Sequence, residues 1–144
     1  MECKELGKMM HFISNSMKRR IDQKVAEFGL TSVQSRVLHF IDISRRENKP
    51  VFQKDLEENF DVRKSTVTNV LQLLEKNGYL KRESVATDAR LKQLILTEKG
   101  EEATVVVQKI IVEEEKEILK YVSEEEKATF FYVLNKISKS IKES

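Results

Sequence analysis

The chain has 144 residues, with one Cys, one Pro, four Gly and no Trp. This length predicts one domain, or one core with an added oligomerisation layer. Charged residues make up 35% and apolar residues 40%, a balance that excludes both a disordered chain and a membrane protein. A single Cys cannot form an internal disulfide and no apolar signal segment follows Met1, so we expect a cytoplasmic protein. The scarcity of Gly and Pro predicts long helices.

The net charge of +2 at first argues against a nucleic-acid-binding protein. The charge is unevenly distributed, however. Residues 60–96 carry seven Lys or Arg against four acids, and residues 1–50 carry ten against six. Residues 101–126 carry three Lys against nine Glu. The chain therefore combines basic N-terminal and middle segments with one acidic segment, which is most often a solvated helix face.

Two helices are predicted in the first third of the chain. Apolar residues recur at spacings of three and four over residues 4–28, and Gly29 is a typical C-terminal stop. Thr31 and Gln34 have the spacing of a capping box, which opens a second helix over residues 31–44. The polar stretch that ends at Pro50 predicts a loop.

The middle of the chain predicts a short helix over 53–60, a turn, and a helix over 63–77 that ends at Gly78. A two-stranded antiparallel ribbon follows, with strands over 79–85 and 91–97 and a polar tip over 86–90. Two further helices are predicted, one over 98–121 and one that opens with the capping box Ser123–Glu126.

This order of elements is that of a winged helix-turn-helix. Two motifs make the similarity specific: Ser65-Thr66-Val67-Thr68 leading into 74–82, and Asp88-Ala89-Arg90 followed by 94–100. Together they resemble the MarR family of bacterial transcription regulators (multiple-antibiotic-resistance regulators). The resemblance implies a mainly α fold with a small β-wing. The winged helix-turn-helix lobe would span 31–97, and dimerisation helices would lie in 1–30 and 98–144.

Two positions depart from the family pattern. Phe52 stands where the family often has a Ser or Thr helix cap, and Val85-Ala86-Thr87 replaces residues that are usually basic in the wing. The second difference bears on how many phosphates the wing contacts.

The 63–77 helix predicts a DNA-reading surface. At 100° per residue its apolar stripe is centred on Val67 and Leu71, and a polar face lies opposite. Hydroxyls, amides and cations are the groups that read a major groove, and phosphates favour a helix N-terminus. The predicted recognition residues are Arg63, Lys64, Ser65, Thr66, Thr68, Asn69 and Gln72.

The ribbon predicts a wing that approaches DNA. Arg90 would enter the minor groove, and Asp88 would hold Arg90 or brace the wing backbone. The alternative for this pair is a solvated ion pair of little energetic value. The predicted wing contacts are Asp88, Arg90, Lys92 and Arg82, and the predicted backbone contacts on the short helix are Gln53 and Lys54.

The terminal helices predict a homodimer, because they carry more apolar surface than a small winged helix can cover. The resemblance implies the same arrangement, which places two recognition helices about one DNA turn apart. The alternative is a helical cap within one chain. The predicted interface residues are Leu6, Met9, Ile13, Phe130, Leu134, Ile137 and Ile141.

The resemblance also implies a repressor that small anionic aromatic molecules or thiol oxidation release from DNA. The predicted effector pocket is Met10, His11, Phe12, Met17, His39 and Phe40, and ordinary core packing is the alternative for these residues. Cys3 is the candidate for oxidation sensing, although Glu2 and Glu5 disfavour its thiolate. The histidines lack a metal-ligand cluster, so no metal and no other cofactor is predicted.

Three other functions compete with a DNA-binding regulator. An enzyme is disfavoured, since no Gly-rich phosphate loop and no nucleophile motif is present. A winged helix that binds protein instead of DNA would favour an acidic recognition helix, and this one has only Glu75. A non-specific architectural DNA protein would need a larger positive charge.

Overall fold

A computed structural model describes residues 5–144 of the chain. These residues form six helices and one two-stranded antiparallel sheet, so the predicted fold class is confirmed. The elements in chain order are α1 (Leu6–Ala26), α2 (Ser32–Arg46), α3 (Gln53–Asn59), α4 (Lys64–Lys76), β1 (Leu80–Val85), β2 (Asp88–Leu96), α5 (Glu98–Ile118) and α6 (Glu124–Lys142).

The predicted boundaries hold to within about three residues. The helix α1 ends two residues before the predicted 28, α2 runs two residues beyond 44, and α5 ends three residues before 121. The predicted stops are confirmed, because Gly29 and Gly78 have φ of +78° and +83°. A residue with a Cβ adopts this left-handed conformation only with strain, so glycine suits both helix ends.

The chain divides into two compact units, Met1–Ile111 and Val112–Ser144. The first contains the elements predicted for the winged helix together with α1, and the second contains the end of α5 and all of α6. Among residues 5–144, no helix has the length and apolar character needed to cross a membrane. The lobe boundaries 31–97, 1–30 and 98–144 stay a prediction.

The core of the first unit is built mainly from leucines and valines of α2, α3, α4 and the sheet. On α2 the side chains of Val37, Leu38 and Ile41 are at most 2% exposed, and on α3 Leu56 is fully buried. The buried core residues are Val25, Leu30, Val37, Leu38, Ile41, Val51, Leu56, Val67, Leu71, Leu74, Leu80, Leu94, Leu96, Val107 and Ile110. Burial of these side chains is the main favourable term in folding.

The sheet is joined to the segment that leads into α3. Phe52 forms a bridge with Gln93, and the backbone N–H of Leu94 donates to the carbonyl of Val51 over 2.8 Å. The start of α3 is fixed by Asp55, whose Oδ2 accepts from the backbone N–H of Phe52 at 2.8 Å. The residue that replaces the usual Ser or Thr therefore makes no side-chain cap, and Asp55 supplies the polar contact instead.

The end of α4, the start of β1 and the start of α5 meet at one junction. Thr97 Oγ1 donates to the carbonyl of Gly78 over 2.5 Å and accepts from the N–H of Gly100 over 3.1 Å. The N–H of Thr97 donates to the carbonyl of Tyr79 over 3.1 Å. Lys99 Nζ donates to Asn77 O over 2.7 Å and lies 4.4 Å from the ring centroid of Tyr79.

A buried carboxylate on α2 holds Arg45, which in turn links α2 to α5. Asp42 is fully buried, and its two carboxylate oxygens lie 2.7 Å from Arg45 Nη2 and 3.0 Å from Arg46 Nη2. Arg45 Nη1 also lies 2.6 Å from Glu101 Oε1. The hydrogen bond with Asp42 raises the pKa of Arg45 above its usual value. A buried charge is tolerated only when it is paired in this way.

In the second unit, α6 begins with the predicted capping box. Ser123 Oγ accepts from the backbone N–H of Glu126 over 3.1 Å, and Glu126 Oε1 accepts from the backbone N–H of Ser123 over 2.9 Å. The hydrogen bond from the Ser123 backbone N–H lowers the pKa of the Glu126 carboxyl below its usual value. None of the residues of α6 is buried.

The junction predicts that Gly100→Ala destabilises the fold. A Cβ at position 100 would lie 2.0 Å from the carbonyl oxygen of Tyr79, which is backbone and cannot turn aside. Overpacking of this kind costs about 1–3 kcal/mol or more. Urea unfolding at fixed protein concentration measures the loss.

Gly7→Ala is the matched control for this substitution. Gly7 also lies in a helix, but a Cβ there would meet nothing within 4 Å. The higher helix propensity of Ala should then stabilise the protein by about 0.5–1 kcal/mol. A Gly100→Ala protein as stable as the wild type would contradict the steric role of the junction.

Candidate nucleic-acid interface

The helix α4 presents two opposite faces, as the sequence predicts. Val67, Leu71 and Leu74 are at most 2% exposed and pack into the core. The side chains of Ser65, Asn69, Gln72 and Lys76 are exposed, with the half-buried Thr66 and Thr68 at the edge of that face. No hydrogen bond from the side chains of Ser65, Asn69 or Gln72 occurs among residues 5–144. These groups are therefore available to an external partner.

The N-terminus of α4 carries two exposed cations, Arg63 and Lys64. Arg63 occupies the N-cap position with extended backbone, and its side chain makes no cap hydrogen bond. The cations therefore lie beside the backbone N–H groups of the first turn, where the helix dipole attracts anions. The geometry is suited to a phosphate group.

The two predicted backbone contacts on α3 differ in their surroundings. Lys54 is exposed, whereas Gln53 is half-buried. Gln53 Nε2 lies 2.9 Å from Thr68 Oγ1 on α4 and 3.3 Å from Glu57 Oε2. Thr68 Oγ1 in turn donates to the carbonyl of Lys64 over 3.1 Å. The structure thus brings together two predicted DNA contacts, Gln53 and Thr68, as partners of each other.

The predicted ribbon tip over 86–90 is wrong in extent. The strand β2 begins at Asp88, and Val85 pairs with Asp88, so the tip is only Ala86-Thr87. Between the pairs Ser84–Lys92 and Val85–Asp88 the register shifts, which leaves Arg90 in a bulged stretch of β2. A bulge bends a strand and re-aims its side chains. The periodicity of the sequence does not reveal such a shift.

The predicted brace between Asp88 and Arg90 is present. Asp88 Oδ1 accepts from the backbone N–H of Arg90 over 2.9 Å and lies 3.4 Å from Arg90 Nε. The carboxylate thereby satisfies a backbone donor within the bulged stretch. The side chain of Arg90 is 92% exposed. Its guanidinium therefore projects into solvent while its backbone is held.

Two further predicted wing residues, Arg82 and Lys92, and the neighbouring Lys81 have polar partners within the protein. Arg82 is only 26% exposed, and its Nε lies 3.7 Å from Glu75 Oε1 of α4. Lys92 Nζ donates to Ser84 Oγ over 2.6 Å. Lys81 Nζ lies 2.9 Å from Glu83 Oε1. Arg82 therefore connects the wing to α4, whereas Lys92 is exposed on the wing surface.

The six predicted effector-pocket residues are spread over two helices. On α1, Met10 and Phe12 are 44% and 66% exposed, and Met17 is half-buried. On α2, Phe40 packs edge-to-face against Phe60 at 5.8 Å between centroids, which is a core contact. The Nδ1 atom of His39 is buried with no hydrogen-bond partner, and burial lowers the pKa of this imidazole.

An open groove of about 550 Å³ lies along α1. It includes only two of the predicted effector residues, His11 and Phe12. Asn15 Nδ2 lies 2.8 Å from His11 Nε2 within it. The groove residues are Gly7, Lys8, His11, Phe12, Asn15 and Arg19. All six residues lie on α1, and Lys8 Nζ lies 3.3 Å from Glu5 Oε2.

The predicted dimer residues are largely uncovered in the single chain. On α1, Leu6, Met9 and Ile13 are 61%, 46% and 44% exposed. On α6, Phe130 and Ile141 are 48% and 69% exposed, and Leu134 and Ile137 are half-buried. Sequence reasoning missed the neighbouring exposed residues Phe131, Tyr132 and Val133, which the continuous apolar run 130–134 signals.

The candidate redox residue Cys3 lies outside the described residues. Within residues 5–144 no group of three or more His, Cys, Asp or Glu is arranged to hold a metal ion.

Comparisons with known proteins agree with this architecture. A sequence profile described as the MarR family matches residues 28–91. The HTH-type transcriptional regulator YdcH of Bacillus subtilis (strain 168) is 32% identical over 108 residues, which is 72% of this chain and 74% of that protein.

Two solved structures extend the comparison to nearly the whole chain. The transcription regulator MarR from Oenococcus oeni PSU-1 is 31% identical, with a TM-score of 0.72 over 97% of this chain and 100% of that one. The MepR–DNA complex of Staphylococcus aureus is 26% identical, with a TM-score of 0.76 over 95% and 96% of the two chains. With its helix-turn-helix, its wing and these relatives, the chain belongs to the MarR family of transcription regulators.

Proposed function

We propose that the protein is a sequence-specific regulator that binds double-stranded DNA as a homodimer on a pseudo-palindromic operator in the cytoplasm. One observation carries this proposal. The exposed face of α4 offers Ser65, Asn69 and Gln72 with no partner among the described residues, while the opposite face is locked into the core.

The chemistry of this face matches that of a major groove. Amides such as those of Asn69 and Gln72 pair with the N6 and N7 atoms of adenine, and a hydroxyl serves several bases. Arg63 and Lys64 add cations at the helix N-terminus, and Lys54 adds another on α3. Such phosphate contacts supply affinity, whereas base contacts supply specificity.

The wing adds a second contact in this proposal. The guanidinium of Arg90 is exposed and its backbone is braced by Asp88, so the side chain can enter a minor groove, where the negative potential is strongest. The solved DNA complex of MepR, a protein with the same fold, supports DNA as the partner.

The homodimer is supported by the exposed apolar side chains of α1 and of α6. Soluble monomers rarely leave several large apolar residues uncovered on one helix face. A two-fold axis that buries these surfaces would also set two copies of α4 on successive turns of the duplex. A protein-binding winged helix without DNA function has no comparable support, because the exposed face of α4 holds no acid before Glu75.

We further propose that the protein is a repressor that an effector releases from DNA. The groove on α1 supports a small anionic aromatic effector, since Lys8, Phe12 and Arg19 are among the residues that line it. Footprinting on the DNA upstream of the protein's own gene tests the regulator itself: a protected palindrome is expected, and no protection at low salt would refute it.

Arg90→Ala is expected to weaken binding to every DNA sequence. Without this cation fewer counterions are released on binding, so the slope of log K against log salt should fall by about 0.9 for each phosphate that the side chain neutralises. Mobility-shift titrations at several salt concentrations measure the slope. Arg90→Lys is the matched control and should keep most of the slope. An unchanged slope in Arg90→Ala would remove the wing from the interface.

Asn69→Ala and Gln72→Ala are expected to reduce the preference for cognate over random DNA, measured as the ratio of the two dissociation constants. Removal of a bidentate hydrogen bond to a base costs about 1–3 kcal/mol of discrimination, or about 5- to 150-fold. The measurement is the ratio of the two dissociation constants at one salt concentration. Gln23→Ala removes an exposed amide from α1 and should leave the ratio unchanged. Wild-type ratios in both α4 variants would refute the assigned reading surface.

Ile13→Asp is expected to weaken the dimer. Light scattering should give the wild type twice the chain mass of 16.8 kDa. Since full burial of an Ile side chain is worth about 1.5–3 kcal/mol, the dimer Kd should rise at least about tenfold in the variant. Ser14→Asp places the same charge on the next exposed residue and is the control. A monomeric wild type would contradict the proposal.

A further inference from the structure

The hydrogen bond between Gln53 and Thr68 points to a role that the reading face alone does not provide. It joins the first residue of α3 to the fifth residue of α4 over 2.9 Å. Thr68 directly precedes Asn69 and lies at the edge of the exposed face. A contact at Thr68 therefore holds α4 directly beside Asn69, one of the proposed base-reading residues.

The amide of Gln53 has no donor left for DNA. Its Nε2 carries two hydrogens, and these point to Thr68 Oγ1 and to Glu57 Oε2 at 2.9 Å and 3.3 Å. The remaining oxygen of the amide is an acceptor, and phosphate oxygens are acceptors as well. A direct phosphate contact by this side chain would therefore require one of the two internal bonds to break.

The hydroxyl of Thr68 is occupied in the same way. Its single hydrogen is donated to the carbonyl of Lys64 over 3.1 Å, and its oxygen accepts from Gln53. Both polar groups are half-buried between α3 and α4, and each satisfies the other. The start of α3 is itself fixed by the contact between Asp55 and the N–H of Phe52, so Gln53 is presented from a defined position.

Packing alone constrains α4 less sharply than this bond does. The buried stripe of Val67, Leu71 and Leu74 holds the helix against the core, but apolar attraction has no directional preference. A hydrogen bond loses strength as its distance and angle change, so it restricts rotation of α4 about its own axis. Such a rotation would move the amides of Asn69 and Gln72 relative to base edges.

We infer that Gln53 is a positioning residue that sets the rotation of α4 through Thr68, so that this pair determines sequence discrimination without touching DNA. The inference rests on the proposed DNA-binding function. It assigns Gln53 a different role from the phosphate contact expected from sequence. It also removes the hydroxyl of Thr68 from the polar groups that read bases.

The test is a double-mutant cycle with Gln53→Met, Thr68→Val and the double variant of the full chain. Both substitutions keep the size of the side chain and remove its hydrogen bond. The probes are a duplex that the wild type selects from a random pool and a shuffled duplex of the same length and composition. Each single variant should lose about three- to tenfold of its preference for the selected duplex, and the double variant should lose no more than either single one.

Two comparisons separate positioning from direct contact. Lys54→Met, at the next residue of α3, should lower the salt slope and weaken binding to both duplexes, because it removes an exposed cation. Gln53→Met should leave the slope unchanged. Thr68→Ser keeps the hydroxyl and should restore the preference that Thr68→Val loses. Two results would overturn the positioning role. One is a loss of preference in the double variant that equals the product of the two single losses, and the other is an equal weakening of binding to both duplexes in the single variants.

Urea unfolding of the same four proteins tests the contact without DNA. Each single variant should lower the folding equilibrium constant. The loss in the double variant should be smaller than the product of the two single losses by about threefold or more. If the pool yields no selected duplex, the proposed DNA-binding function fails, whereas the coupling in unfolding still reports on the contact. Independent losses in unfolding would refute the contact itself.

Discussion

The arrangement of the DNA-binding lobe depends on the close approach of Gly100 to the backbone of Tyr79. No side chain fits between them, and this approach lets Thr97 bond to Gly78 and Tyr79 from the other side of the turn. Three elements are thereby fixed at one point: α4 as it ends, β1 as it begins and α5 as it begins. The position of the C-terminal end of α4 relative to the wing follows from this junction.

Much of the fold can be predicted from the sequence because its helices are amphipathic and their ends are marked. The buried and exposed faces of α4 follow from a period of 3.6 residues, and Gly78 follows from the need for a left-handed residue at the helix end. The wing tip is different. The bulge that shortens it depends on Asp88 accepting from the N–H of Arg90, and this contact leaves no trace in hydrophobic periodicity.

In the candidate site, the sequence likewise does not predict which side chains contact each other. The sequence predicts Gln53 and Thr68 as DNA contacts, but it cannot show that they bond to each other across two helices. Arg82 is similar, because a basic residue in a wing suggests phosphate while the structure places it beside Glu75. Polar residues are satisfied by whichever partner the fold brings near, so their roles depend on tertiary contacts that local patterns do not encode.

The electrostatics of the wing limit how strongly the proposed interface can bind. Lys81, Arg82 and Arg90 each lie near a carboxylate of the same lobe, at 2.9 Å, 3.7 Å and 3.4 Å. Exposed pairs of this kind are worth about 1 kcal/mol or less, so phosphates can compete for the cations. The acids nevertheless reduce the local positive potential. Each phosphate contact therefore adds less binding free energy than a contact with an unpaired cation would. In the proposed homodimer, affinity that is modest per subunit would make binding depend on two subunits acting together and on the proposed base contacts of α4. A regulator with this balance discriminates between sequences more through side-chain geometry than through charge.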